Sequence, residues 1–294
     1  MSTLTEIASG TAPSGAVPVF TQKIAVGWLP HALRALRAIV WRELSKFLRQ
    51  YGRLASAIVR PALWLIVVGA GMSHILGFST NPPYRTYTTF QEYIVPSLVA
   101  MVVLFNGMQS SLSLVYDREV GTMRLMLTAP LPRWYILFCK LVAGAVLSVI
   151  QSYAFVALAS AVGVYVPWEG WLLSMPIVFL ASLMMGAIGL ILSVYIRQLE
   201  NFAGTMNFVI FPMFFISPSL FPAWFFQEVG ADFLYWAASV NPFTHAMELI
   251  RFSVYGESNP TSLWVVIGVT VVCFLLAAIA YDPQRGLIRR RKAS

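Results

Sequence analysis

Long apolar runs, interrupted by short polar segments, fill the chain from residue 57 to residue 281. A bilayer core of roughly 30 Å takes about 20 apolar residues of α-helix. The pattern predicts six such spans, at about 57–76, 93–115, 136–162, 171–196, 202–220 and 262–281. Asn81-Pro82-Pro83 signals a turn after the first span, and Pro167-Trp168-Glu169-Gly170 a turn before the fourth. Pro61 falls near a helix start, where its missing N–H costs little, while Pro212 and Pro218 interrupt the fifth span. Residues 31–56 keep a different period. Leu33, Leu36, Val40, Leu44, Phe47, Tyr51 and Leu54 recur at steps of three and four, making one apolar stripe on a helix. Arg42, Lys46, Arg49 and Arg53 fall opposite it, so the segment is expected to lie in the membrane plane with its basic side on the headgroups. Residues 1–30, rich in small and polar residues, read as a disordered cytoplasmic tail without a signal peptide, and residues 282–294 as a basic one. The expected fold is an all-α integral membrane protein whose domain 57–281 holds six spans.

The connection 221–262 leaves the fifth span and enters the sixth on the same, outer side. Phe221, Trp224, Phe225, Phe226, Phe233, Leu234, Tyr235 and Trp236 crowd its first half, too apolar a surface for water. Pro222 and Pro242 break it, and it is too short for two further spans. A pair of short helices that re-enter the outer leaflet and pack on the spans is expected, since backbone at that depth must be covered. Within it Glu248 and Arg251 lie three apart on one helical face, positioned to pair.

Composition agrees with lipid as the solvent: 58% of residues are hydrophobic and 11% charged, and mean hydropathy is +0.72. The net charge of +8 reads as the positive-inside bias rather than as a nucleic-acid surface. With the N-terminus inside and six spans, eighteen of the twenty Lys and Arg residues lie on the cytoplasmic side, Arg85 and Arg251 excepted. Trp28, Trp134, Trp168, Trp171 and Trp264 fall near span ends, as an aromatic belt places them. Cys139 and Cys273 lack a nearby partner and read as buried thiols. The three histidines, His31, His74 and His245, are far apart in sequence and read as isolated interfacial residues, so no metal is expected.

The chain contains no G-x-x-x-x-G-K-[ST] phosphate loop, no H-E-x-x-H and no G-x-S-x-G. Ionisable residues within the spans are scarce, which argues against a secondary transporter. A membrane enzyme acting on lipid, the other alternative, would need paired acids or histidines, and Glu228, Asp232, His245 and Glu248 are the one cluster on offer. The segment 116–135 is the most telling. Asp117-Arg118-Glu119 leads Gly121 and Thr122, then an apolar stretch with Leu125 and Leu127, then Pro130. Asn241-Pro242-Phe243-Thr244-His245, followed by Glu248 and Arg251, forms a second motif, and Phe221-Pro222 closes a third, begun at Phe215.

These three strings, spread over about residues 35–280, resemble ABC-2 type permeases, with a flavour of the nodulation-factor and capsule exporters. Pro218 stands where that family often has Gly. The resemblance implies the membrane subunit of an ATP-driven exporter in the inner membrane, both termini cytoplasmic. It implies no catalysis by this chain, with ATP and Mg held by a separate ABC ATPase subunit. It implies a second copy of the permease, with substrate passing between the copies. The loop 116–135 would then be the ATPase-coupling element: a short helix bounded by Gly121 and Pro130, with Arg118 and Glu119 offering charge-assisted bonds to the partner.

Overall fold

The computed structural model describes residues 28–49, 51–73, 89–121, 131–196 and 198–281. The elements there are helices: α1 (Trp28–Arg49), α2 (Tyr51–Trp64) continued by a π-helical turn Leu65–Gly69 and α3 (Ala70–Ser73), α4 (Phe90–Glu119), α5 (Arg133–Ala161), α6 (Trp168–Leu173), α7 (Met175–Tyr195), α8 (Leu199–Ile216), α9 (Ala223–Glu228), α10 (Asp232–Val240), α11 (Pro242–Val254) and α12 (Pro260–Ala280). Among the described residues five helices have the length and apolarity to cross a membrane: α4, α5, α7, α8 and α12. They match the predicted second to sixth spans, and α4 runs three to four residues further at each end. The first predicted span is represented by a shorter apolar helix, Ala55–Gly69; its end and the 81–83 turn lie outside the described residues, as do both tails and residues 122–130.

Helix α4 is the axis of the molecule. Seventy-two per cent of its 18 most apolar consecutive residues are buried, against 11% for α12. It packs against α7, α5, α8, α11 and α2. Glycines permit the closest approaches. A Cβ on Gly107 would sit 2.7 Å from Met185 Cβ and 2.9 Å from the Gly186 backbone nitrogen, and one on Gly189 would sit 2.5 Å from Ser111 Oγ. In lipid, where association gains little from expelling water, such small-residue contacts carry van der Waals packing. The predicted fourth span is broken at Ser174, where Pro176 in the first turn of α7 cannot continue the hydrogen-bond ladder of α6, so α6 and α7 are separate helices.

The connection between α8 and α12 is three helices rather than two. Asn241 caps α11, its Oδ1 accepting from Phe243 N at 3.0 Å, with Pro242 following at the first helical position. Asn259 and Pro260 repeat the device at α12, Asn259 Oδ1 accepting from Ser262 N at 3.1 Å. Helix α11 is largely buried, whereas α9 buries no residue and α10 only Ala238. Trp236 and Phe233 stand open on the surface of the chain.

Helix α1 lies along α5. Ala32 and Phe47 are buried on its inner face, and the Tyr135 hydroxyl donates to Ala32 O at 2.7 Å. The predicted stripe is thus shared: Leu36 packs toward α5, while Leu33 stays exposed beside Trp41 and Leu48.

Candidate functional site

The three charged residues that end α4 each reach a different helix. Asp117 is buried, and one carboxylate oxygen accepts from the ammonium of Lys140 on α5. The same oxygen lies 3.7 Å from the Arg42 guanidinium of α1, which also binds Glu43 at 2.6 Å. Arg118 donates to Ser193 O at 3.1 Å, in the last turn of α7, and its guanidinium lies 5.5 Å from the Tyr281 ring centre. Exposed Glu119 accepts from Leu199 N, the first residue of α8, at 3.0 Å. A helix leaves its last carbonyls and first N–H groups without internal partners, and its dipole favours a cation at the first kind of end and an anion at the second. The Arg118-Glu119 pair supplies both, in that order, to the two helix ends that meet at residues 196–198. Gly121 then turns the chain with φ 83°. Thr122, Leu125, Leu127 and Pro130 lie outside the described residues.

Of the interfacial-helix residues, Lys46 and Arg49 are exposed, whereas Arg42 turns inward to Asp117. Arg53 lies on α2, with nothing described of its side chain.

A polar seam continues from this junction. Asn106, Ser110, Ser113 and Asp117 recur along α4 at steps of four, three and four, one face of the helix. Asn106 Nδ2 donates to Ser148 Oγ at 2.6 Å and to Gly144 O at 3.3 Å on α5. Above it a cleft between α2, α4 and α5 is lined by Arg60, Phe105, Asn106, Gln109 and Gln151. The Arg60 guanidinium lies 3.9 Å from the Phe105 ring centre. Sequence reasoning assigned no role to Lys140, Asn106, Arg60 or Gln151. The one available signal was the spacing of polar residues at 106, 110, 113 and 117 within an otherwise apolar run.

The second motif proves to be a joint. Asn241 Nδ2 donates to Met213 O at 2.7 Å, tying α11 to α8. His245 bonds Ser239 O at 3.0 Å and Ser262 Oγ at 3.2 Å, spanning α10 to α12. Buried Arg251 turns to α4, donating to Ser97 Oγ at 2.8 Å and lying 4.2 Å from the Tyr93 ring centre. Tyr93 OH donates to Pro218 O at 3.3 Å, so the carbonyl of that proline belongs to the same joint. Phe221 stacks on Phe225, next to buried Pro222. Glu248 is half-buried. Burial, with the charge of Glu92, pushes the Tyr255 phenol in the adjoining turn up to about 12 against the opposing pull of Arg251, so it stays neutral.

Long apolar helices bound together by a buried polar junction define a multi-pass α-helical membrane protein. The chain belongs to the ABC-2 type transporter family, whose model matches residues 34–255. It is similar to the putative transport permease ycf38 of Cyanophora paradoxa, with 26% identity across 77% of this chain and 76% of the relative. Nodulation protein J of Rhizobium leguminosarum bv. viciae is 22% identical across 79% and 84%. The probable multidrug ABC transporter permease YbhR of Escherichia coli K12 is 33% identical over 89 residues, 30% of this chain and 24% of its own. A permease of this family is a transport subunit rather than an enzyme, and normally pairs with an ABC ATPase.

Proposed function

We propose that this permease is the membrane subunit of an exporter of a lipid, glycan or other amphipathic substrate. A separate ATPase binds ATP and Mg and drives it, and two copies assemble around the path. The observation that carries this reading is the Asp117-Arg118-Glu119 junction. A push on the loop 116–135 would reach α5, α7 and α8 together, because the three side chains at its head hold those three helices. A subunit without a phosphate-binding loop needs such a lever to receive work. The putative transport permease and the probable multidrug ABC transporter permease among its relatives support the transporter reading.

The remaining geometry follows. Helix α2 with its π-helical turn makes the first of the six spans, crossing the inner membrane like the others, with both termini cytoplasmic. Helix α1 lies at the interface, its inner face on α5 and Leu33, Trp41 and Leu48 toward lipid. Helices α9 to α11 form the outer re-entrant segment, with α11 as its buried root and the open aromatics of α10 toward lipid or the second copy. The test is recovery of the tagged chain from its own host in mild detergent. A P-loop ATPase should co-purify in roughly equal amount, and its ATP hydrolysis should depend on the permease. Isolation of a permease that neither retains nor stimulates any ATPase overturns the reading.

A further inference from the structure

The cleft bordered by α2, α4 and α5 holds two groups that the fold leaves unused. Gln151 is 2% exposed, and its Oε1 has no hydrogen-bond partner among the described residues. An unbonded polar atom in so apolar a setting costs about 1–3 kcal/mol unless something satisfies it. Arg60 stands at the mouth, exposed, its guanidinium against Phe105. Among the described residues no carboxylate lies within 4.0 Å of it.

Depth makes the arrangement informative. The Asp117–Lys140 pair marks the level where α4 and α5 leave their charged ends. Asn106 lies eleven residues from Asp117 along α4, and Gln151 eleven from Lys140 along α5. At 1.5 Å per residue both are about 16 Å from the pair, near the middle of a core of roughly 30 Å. A cation there is expensive and ordinarily meets an anion or a polar path. The cleft leaves a free volume of about 20 Å³ at its floor, room for a group the size of a hydroxyl, and opens on the Arg60 side. Its lining has no acidic residue.

We propose that this cleft binds the headgroup of an anionic amphipath that carries a phosphate ester and a hydroxyl. Arg60 takes the phosphate at the mouth, and Gln151 takes the hydroxyl at the floor. The charge selects the acid, because a guanidinium pairs best with planar or tetrahedral oxyanions. The hydroxyl follows from Gln151, since a hydroxyl donates and accepts and so serves an amide turned either way. The acyl chains leave through the open side, where α2 presents Leu63, Ile66 and Val67. The seam through Asn106, Ser110 and Ser113 leads from the cleft back to the charged junction, a polar route for such a headgroup. The identity of this ligand as cargo rests on the exporter reading; its binding does not.

Native mass spectrometry of the full-length protein with added lipids tests the site. Phosphatidylglycerol has both groups, phosphatidic acid lacks the polyol and phosphatidylcholine lacks net charge. Retention should fall in that order. Arg60→Met should erase the preference for phosphatidylglycerol over phosphatidylcholine, a loss of about tenfold or more for a charge-assisted contact. Arg60→Lys should keep most of it. Gln151→Leu should erase only the preference over phosphatidic acid. An unchanged Tm in detergent for each variant confirms that the fold is intact. Equal retention of the three lipids by the wild type, or a preference that survives Arg60→Met, overturns the proposal. In vesicles containing the ATPase, ATP-dependent movement of phosphatidylglycerol that Arg60→Met abolishes marks the headgroup as cargo. Binding with no such movement marks a resident lipid, which supports the site while removing support from the exporter reading.

Discussion

On paper Arg118 and Glu119 look like an adjacent ion pair; in the fold each is bonded to a helix end instead. Arg118 holds a carbonyl in the last turn of α7, and Glu119 holds the first N–H of α8. Exchanging them should therefore not restore what the single changes lose. In the double variant R118E/E119R each charge faces a helix end of its own sign, and such interactions are worth about 0.3–1 kcal/mol apiece. The double variant should melt below either single one in detergent; a Tm restored to the wild-type value would show that the two pair with each other. Conservative changes separate the two roles open to Glu119. Glu119→Ala should lower transport on either account. Glu119→Gln keeps an acceptor for Leu199 N–H and should recover most of the activity if the residue acts as a helix cap. Equal loss in Gln and Ala variants would assign the charge to the ATPase contact. Asp117, Arg118 and Glu119 were conspicuous in the sequence, but their partners were not, because they lie 23, 75 and 80 positions away. Pattern reasoning reaches one turn of helix, and a joint between distant helices lies beyond it.

At the scale of elements, legibility follows from what sets each boundary. Spans α4, α5, α7, α8 and α12 were legible because hydrocarbon thickness fixes how long an apolar run must be. The break at Ser174 was not, because the run stays apolar across it; Pro176, which has no N–H to donate and sits in the first turn of α7, ends the preceding hydrogen-bond ladder there. The three helices of 221–262 were only partly legible: Asn241-Pro242 announced the start of α11, but α11 became buried through Arg251, Ser97 and Tyr93, contacts across 154 positions and more. The glycines of α4 and α7 read as ordinary span residues, yet they set the spacing of the two most intimately packed helices. Gly107→Ala places its Cβ against the Met185 Cβ and the backbone of Gly186, which yields less readily than a flexible side-chain tip. Overpacking of this kind costs about 1–3 kcal/mol. Gly107→Ala should lower Tm and the yield of folded protein, whereas Gly268→Ala, with nothing within 4 Å of the added Cβ, should leave both unchanged or raise Tm. A Gly107→Ala protein as stable as the Gly268→Ala control would mean that α4 and α7 do not approach as closely as the structure shows.

The whole molecule has two unlike ends, and which one meets the cytoplasm decides whether the charged junction can receive work from an ATPase. Helix α4 alone spans about 45 Å at 1.5 Å per residue. Its first turns lie with Arg251 and the buried α11, while its last turn carries Asp117, Arg118 and Glu119. Of the eighteen Lys and Arg residues assigned to the cytoplasmic side from the sequence, Arg60 lies within the first span, which leaves seventeen of twenty on the junction side when six spans are threaded. A bias of that size orients helices at insertion, since cationic loops are retained on the cytoplasmic side. Val120, just past α4, and Glu257, in the turn between α11 and α12, are both exposed and mark the two ends. In a background with Cys139 and Cys273 replaced, Glu257→Cys should react in intact cells with a membrane-impermeant maleimide. Val120→Cys should react only after the inner membrane is opened. Five crossings in place of six would still keep this opposition, because both positions lie beyond the first predicted span; it would move the N-terminal side alone. A tag at the N-terminus, protected from external protease in six spans and cleaved in five, distinguishes the two counts. Labelling of Val120→Cys from outside would invert the molecule. The junction would then face away from cellular ATP, and the lever assigned to Asp117, Arg118 and Glu119 would have nothing to pull it.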